Sequence, residues 1–308
     1  MWQYVRNSVC ALSLIAALAS CGNGVRNDAD EEMLDWLQQV HFSYMWDGAE
    51  PTSGLAPERI HLDTPSDDAD VITTGGSGFG IAGLVAAVDR GFIPRDSAVS
   101  RLNKIVDYLA DADRFHGVWP HWIYGPTGRV KPFGKKDNGG DLVESSFLMT
   151  GLLIAREYFK EGDDREKPLA AKIDSLWRDM EFDWYQRDGG DVLYWHWSPE
   201  YGWEMNFPLE GYNECLIAYV LGASSPTHPI SPEAYHKGWA RSGGIRSDKE
   251  FMGLPLLLRY NGAEETGGPL FWSHYSYIGL DPRGLKDDYV DYWELVRNHA
   301  MSDYLYCV

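Results

Sequence analysis

Residues 203 to 214 read WEMNFPLEGYNE and run directly into an apolar stretch, CLIAYVL. Glu204, Glu210 and Glu214 therefore crowd the start of what reads as a buried helix. An acid in a first turn is stabilised by free N–H groups and by the helix macrodipole. Glu210, close behind Pro208, fits that role. Glu214 does not. On a helix spanning Gly211 to Leu221 it shares a stripe with Ile217, Ala218 and Leu221, and no polar face exists to receive it. Burial raises its pKa while the helix terminus lowers it. Where burial wins, the group keeps a proton near neutral pH, as a general acid must.

Asp141 and Glu144 form D-x-x-E at the start of a second apolar helix. The spacing is that of a capping box, with Asp141 as N-cap and Glu144 returning to its backbone N–H. It is equally a pair of catalytic carboxyls, and spacing alone leaves both readings open. Three residues apart on a helix places the Cβ atoms roughly 5–6 Å apart. Inverting glycosidases separate their carboxyls by about 6.5–9.5 Å, with room for a water. Glu214 facing Asp141 or Glu144 across a pocket suits that chemistry better than the i,i+3 pair by itself.

Aromatic residues supply the other half of a sugar site. Trp119, Trp122 and Tyr124 lie in one long loop, and Tyr194, Trp195, Trp197, Tyr201 and Trp203 in the next. A sugar packs its C–H face on such rings while its hydroxyls meet carboxylates and amides. The same rings can also simply pack loops onto the fold, and Trp177 and Trp184, which follow a striped helix, read as core. A net charge of −19 over 308 residues repels nucleic acid and anionic membranes, and leaves a neutral or cationic ligand.

Helices must position these groups, and their periodicity sorts them into two kinds. Phe79 to Val88 and the segment DLVESSFLMTGLLIAREYF are apolar on nearly every side, as is Gly211 to Leu221. Ser97 to Ala112 and Lys167 to Phe182 carry one apolar stripe each, the first with Leu102, Ile105, Val106 and Leu109. Asp30 to Trp46 adds a face of Leu34, Leu37 and Val40. An all-apolar helix must be enclosed by protein and a striped one lies at the surface. Their alternation predicts two concentric layers, an all-α (α/α)6 toroid, rather than a simple bundle. Apolar-to-striped connections are short and striped-to-apolar ones long, so the long aromatic loops gather at the N-termini of the inner helices. Strand signals are weak and confined to loops.

Other signals lead away from cofactors. Gly78-Phe-Gly80-Ile-Ala-Gly83 matches the dinucleotide fingerprint, but no firm strand precedes it and no βαβ unit follows. Its glycines read instead as sites of close backbone approach. Asp67, Asp68 and Asp70 lack the spacing of a calcium loop and read as a solvated turn. The nine histidines show no H-x-x-x-H pair, so no metal site and no cofactor are expected.

The N-terminus reads as a targeting segment, residues 1–21. Arg6 is basic, the run from Val9 to Ala19 is too short to span a bilayer, and Leu18-Ala19-Ser20-Cys21 resembles a bacterial lipobox. Cys21 would carry the lipid, residues 22–29 would form a tether, and residues 30–308 the folded domain, a monomer anchored in the cell envelope. Cys10 leaves with the signal, Cys215 reads as inert packing, and a disulfide framework is not expected.

At GSGFGIAGLVAAVDRGFIPRDSAVSRL, DLVESSFLMTGLLIAREYF, GYNECLIAYVLGASSPTHPI and GGPLFWSHYSYIGLDPRG the chain resembles the glucoamylase-like domain family. It is most similar there to the endo-β-1,2-glucanases of glycoside hydrolase family 144. The resemblance runs from Met33 onward. It implies an (α/α)6 barrel, inverting endo-hydrolysis of β-1,2-glucan without a metal, and catalytic acids at Asp141, Glu144 and Glu214. Trp119, Trp122, Trp195, Trp203, Glu204 and Arg283 are the expected substrate contacts. Six inner and six outer helices need more chain than this. With Ser231 to Trp239 as a third outer helix and Tyr289 to Tyr306 as the last, the barrel is expected to be incomplete at the C-terminus. The competing reading is a non-catalytic glycan-binding surface lipoprotein. A lyase acting on acidic sugars is disfavoured by the negative charge.

Overall fold

The computed structural model describes Asp28–Val308. Arg6, the apolar run 9–19, Cys10, the lipobox cysteine Cys21 and residues 22–27 of the tether lie outside the described residues. The chain divides into two compact units, Met1–His41 and Phe42–Val308. Helix α1, Asp28–Trp46, begins in the first of them. Its Leu34 and Leu37 are half-buried, whereas Val40, expected on the same face, is exposed.

The second unit is helix-rich. Helices α2 (Thr74–Asp89), α3 (Arg95–Asp111), α4 (Leu142–Phe159), α5 (Glu166–Arg178), α6 (Phe182–Tyr185) and α7 (Leu216–Ser224) follow in order. Helix α8 (Leu270–His274) and helix α9 (Tyr292–Cys307) come after them. As the composition requires, α2, α4 and α7 are buried or half-buried along most of their length. Helix α3 buries one stripe, Ala98, Val99, Leu102, Ile105, Val106 and Leu109, and α5 buries Leu169, Ala170, Ile173 and Leu176. Helix α4 packs against α2, α5 and α7, while α3 packs against α2 and α5. The fully apolar helices thus make one layer and the striped ones cover it. Among the described residues no helix is long and apolar enough to cross a membrane.

Helix termini obey local chemistry. Gly91 adopts φ +73°, the left-handed conformation that closes a helix, and the Phe92 N–H returns to the Ala87 carbonyl. Asp141 caps α4 and Asp291 caps α9 through side-chain oxygens.

Several boundaries differ from the sequence reading. Helix α7 starts at Leu216, not Gly211. Gly211 sits at φ +76°, and Tyr212 and Glu214 give their carbonyls to Asn261 and Ser276 instead of to a helical ladder. Glu214 therefore precedes the helix and Glu210 is not a first-turn acid. The third striped helix shrinks to a π-helical turn, Ala234–Trp239. Helix α5 ends at Arg178, and the last helix begins at Tyr292.

The described residues also hold short strands. Val71–Thr73 (β1), Trp122–Tyr124 (β2) and Arg129–Lys131 (β3) form an antiparallel sheet; Gly140–Asp141 (β4) pairs with His196–Trp197 (β5). Arg246–Phe251 (β6) and Leu254–Leu258 (β7) form a hairpin the sequence reading did not anticipate. Met252 and Gly253, at φ 52° and 76°, make its two-residue turn, so the glycine was the available signal.

The glycine-rich start of α2 is a packing device. A Cβ on Gly78 would lie 2.1 Å from the Phe147 carbonyl oxygen, and one on Gly151 2.1 Å from that of Gly78. Backbone meets backbone here, so neither helix can yield. Gly78→Ala and Gly151→Ala should each lower unfolding free energy by about 2–3 kcal/mol in urea titrations. Gly83→Ala, whose Cβ meets nothing nearer than Phe42 at 3.9 Å, should be neutral or stabilising, by ~0.5–1 kcal/mol. Equal effects at all three positions would refute the contact account.

Candidate active site

Asp141 stands where β4 becomes α4, with its side chain wholly buried. Its Oδ1 accepts from the Val143 and Glu144 N–H groups at 3.0 and 2.9 Å. Its Oδ2 lies 2.9 Å from Nδ1 of His121, just before β2. Burial opposes a charge on His121. The bond to Asp141 and the fields of Asp141, Glu144 and Asp137 outweigh it and push the imidazole up to about 9. His121 is therefore an imidazolium at neutral pH, donating to Asp141.

The capping box is only half formed. Asp141 caps the helix, but its own N–H goes to the Trp119 carbonyl at 2.9 Å. Glu144 instead turns its carboxylate across to α2, where Oε2 accepts the Gly75 N–H at 3.0 Å. Gly75 must lack a side chain, because a Cβ there would stand 2.2 Å from that oxygen. Burial is the main force raising the Glu144 pKa. The charges of Asp141 and Glu214 add to it, and His121 and the Gly75 N–H oppose it.

Glu214 arrives from the start of α7, its carbonyl fixed by Ser276 Oγ at 2.8 Å. Burial and the Asp141 charge push it up to about 7, against the pull of His121. The structure thus brings the three expected acids into one electrostatic cluster. They do not share one role. Asp141 spends both oxygens on the fold and on His121, while Glu144 and Glu214 are raised toward neutrality.

A cleft of about 560 Å³ opens onto Glu144 and His121. One part of its wall is the ring cluster of Phe79, Phe147 and Tyr275, with centroids 4.7–5.6 Å apart. Trp122 and Phe133 form another part, beside His121.

Of the expected substrate contacts, Trp122 lines this cleft. Trp119 is enclosed in the core, its indole N–H donating to the Leu109 carbonyl at 3.0 Å. Its backbone has the structural role, latching β4 and Ser145. Trp195 is half-buried against Phe207 and accepts the Leu142 N–H. Trp203 belongs to a separate ring cluster with Trp184, Tyr185 and Tyr194, under Arg187. Trp184, read as core, is 38% exposed. Glu204 and Arg283 are exposed and pair with Lys136 and Asp281, and Glu210 pairs with Arg241. Cys215 is buried and its thiol is pushed up by that burial, as inert packing requires.

The sequence reading missed His121, Asp137 and His196. Burial and Asp141 push Asp137 up to about 7, and burial pushes His196 down to about 4. Neutral His196 accepts the Gly139 N–H through Nε2. The available signals were the histidine beside Trp122 in WPHWIY and the aspartate four residues before Asp141. His121, Asp137 and Asp141 bring one ligand-type atom each within 4.8 Å of one another. A cation there would have to displace the His121 proton and compete with the helix N–H groups for Asp141.

Residues 206–308 match a family model described as "Putative glucoamylase". An endo-beta-1,2-glucanase from Chitinophaga pinensis, solved as a sophorotriose and glucose complex, is 56% identical with a TM-score of 0.88; the match covers 90% of this chain and 67% of that one. A beta-1,2-glucanase structure from Parabacteroides distasonis is 44% identical, TM-score 0.84, covering 91% and 41%. An exo beta-1,2-glucooligosaccharide sophorohydrolase (non-reducing end) from the same species is 44% identical over 294 residues. The chain spans 40% of the length of that curated relative.

The raised groups set a pH dependence of stability. A carboxyl whose pKa rises on folding contributes most below its unfolded value, 4.5 for Glu214, and loses that contribution as pH climbs through about 7. His121 contributes fully below 6.5 and loses its share as pH climbs through about 9. Melting temperature should therefore fall between pH 5 and pH 9, and Glu214→Gln should flatten the lower part of that fall. Identical profiles for the two proteins would contradict the buried, proton-holding state of Glu214.

Proposed function

The chain belongs to the glucoamylase-like family, and from that premise we propose that it is a glycoside hydrolase cleaving within β-1,2-glucan chains with inversion. The observation that carries this reading is the electrostatic cluster in which burial and the charge of Asp141 raise both Glu144 and Glu214 toward neutrality, beside the half-buried His121–Asp141 ion pair. Their environments divide the roles. The Gly75 N–H favours the charged form of Glu144, so Glu144 is the base that takes a proton from the attacking water. Glu214 is the general acid that protonates the leaving glycosidic oxygen. Asp141 is a positioning residue, holding His121 and the first turn of α4. The neutral, hydroxyl-rich substrate suits a cleft walled by rings in an acidic protein.

The two helical layers are read as part of an (α/α)6 toroid, with the cleft at the end where its inner helices begin. Cys21 is read as the lipid attachment site, placing the enzyme in the cell envelope. Support for this comes from the lipobox pattern, the short apolar run before it and the polar tether after it.

Incubation with linear β-1,2-glucan should release short β-1,2-linked oligosaccharides. Glu214→Gln should lower turnover by about 10²–10⁴-fold, the range for loss of a general acid, with glucan affinity nearly unchanged. Wild-type binding without products would overturn hydrolysis in favour of a glycan-binding lipoprotein, and surviving activity in the variant would remove Glu214 from the acid role. In bacterial expression, Cys21→Ala should move the protein from the membrane fraction to the soluble fraction. Unchanged fractionation would refute lipid anchoring.

A further inference from the structure

We propose that Phe133 is a sugar-stacking platform whose open face receives one glucosyl ring of the chain bound beside Glu144. The inference rests on the reading of the protein as a β-1,2-glucan hydrolase and assigns a specific binding surface to it. Phe133 is a bare hydrocarbon ring, 52% exposed, on the wall of the cleft that contains Glu144. Exposed rings also occur elsewhere, Trp184 among them, so exposure alone does not select it. Trp184 is likewise stacked on a histidine; what distinguishes Phe133 from it is a place on the wall of the cleft that contains Glu144, where the ring is also held. One face stacks on His121 with centroids 4.2 Å apart and planes at 27°, and Trp122 meets it edge-on at 4.8 Å.

The backbone beneath it is fixed as well. The Phe133 N–H bonds the Asp137 carbonyl at 3.0 Å, and the Asp137 N–H returns to the Gly134 carbonyl at 3.0 Å. A tight turn therefore presents the ring before any ligand arrives, so little conformational freedom is lost on binding. The exposed part of the ring lies on the wall of a cleft whose volume, about 560 Å³, is of the size that holds an oligosaccharide. Glu58 and Arg59 line the same cleft and offer acceptors and donors to hydroxyl groups. A pyranose lying on Phe133 would cover exposed apolar surface with its C–H face and keep its hydroxyls toward those groups.

The ring has two neighbours, a histidine below and the proposed sugar above, and substitutions can separate them. Phe133→Leu still fills space against His121 but offers no flat face, whereas Phe133→Trp keeps the face. Each change is made in the Glu214→Gln background, and binding of a short linear β-1,2-glucooligosaccharide is measured by calorimetry. Phe133→Leu and Phe133→Ala should weaken binding about tenfold, equivalent to ~1.4 kcal/mol, and Phe133→Trp should bind within about twofold of the parent. Parent-like binding by Phe133→Leu would overturn the platform and leave the ring as a prop for His121, with the hydrolase reading intact. Failure of wild type and the Glu214→Gln parent alike to bind any β-1,2-linked oligosaccharide would overturn both.

Discussion

A carboxylate placed in the interior must be given partners, because an unpaired buried charge is among the most expensive things a fold can contain. Asp141 meets that requirement three times over, with two N–H groups from the first turn of α4 and the imidazolium of His121. The helix cap alone is worth about 1 kcal/mol, and losing either partner of the ion pair would strand a charge. The same constraint organises the site. Fixing Asp141 fixes His121, and after burial the Asp141 charge is the next largest force raising Glu144 and Glu214 toward neutrality. Stability and acid–base chemistry are here one electrostatic arrangement.

That arrangement depends on how closely α2 and α4 approach. Gly78 and Gly151 let the two backbones touch, and three residues earlier Gly75 leaves the space into which Glu144 extends. The approach therefore does two jobs. It seals the layer of apolar helices, and it lets an N–H of α2 accept the task of holding a carboxylate from α4. The half-formed capping box follows directly: Glu144 is drawn across to Gly75 and does not return to Asp141.

The layered helices and the cap at Asp141 were legible because periodicity and capping chemistry are local. Leu102, Ile105, Val106 and Leu109 share a stripe in the sequence and are buried together. Less legible were features decided by partners far along the chain. Trp119 looks like a sugar ligand in the loop sequence, yet it belongs to the core. Phe133, in a lysine- and glycine-rich loop, lies on the cleft. An aromatic side chain states its size and apolarity, and only its surroundings state which face is free.

The sequence by itself determined that apolar and striped helices alternate, that Asp141 begins one of the former, and that Glu214 sits where water is leaving. These follow from local period and local capping. Tertiary structure decided the rest: that α7 begins after Glu214, because Gly211 turns left-handed and distant residues take the carbonyls; that His121 is the partner of Asp141; and that Gly75 receives Glu144. Each of those pairings joins segments 20 or more residues apart, where no periodicity reaches, and the choice among partners is made by packing and by the need to satisfy buried charge.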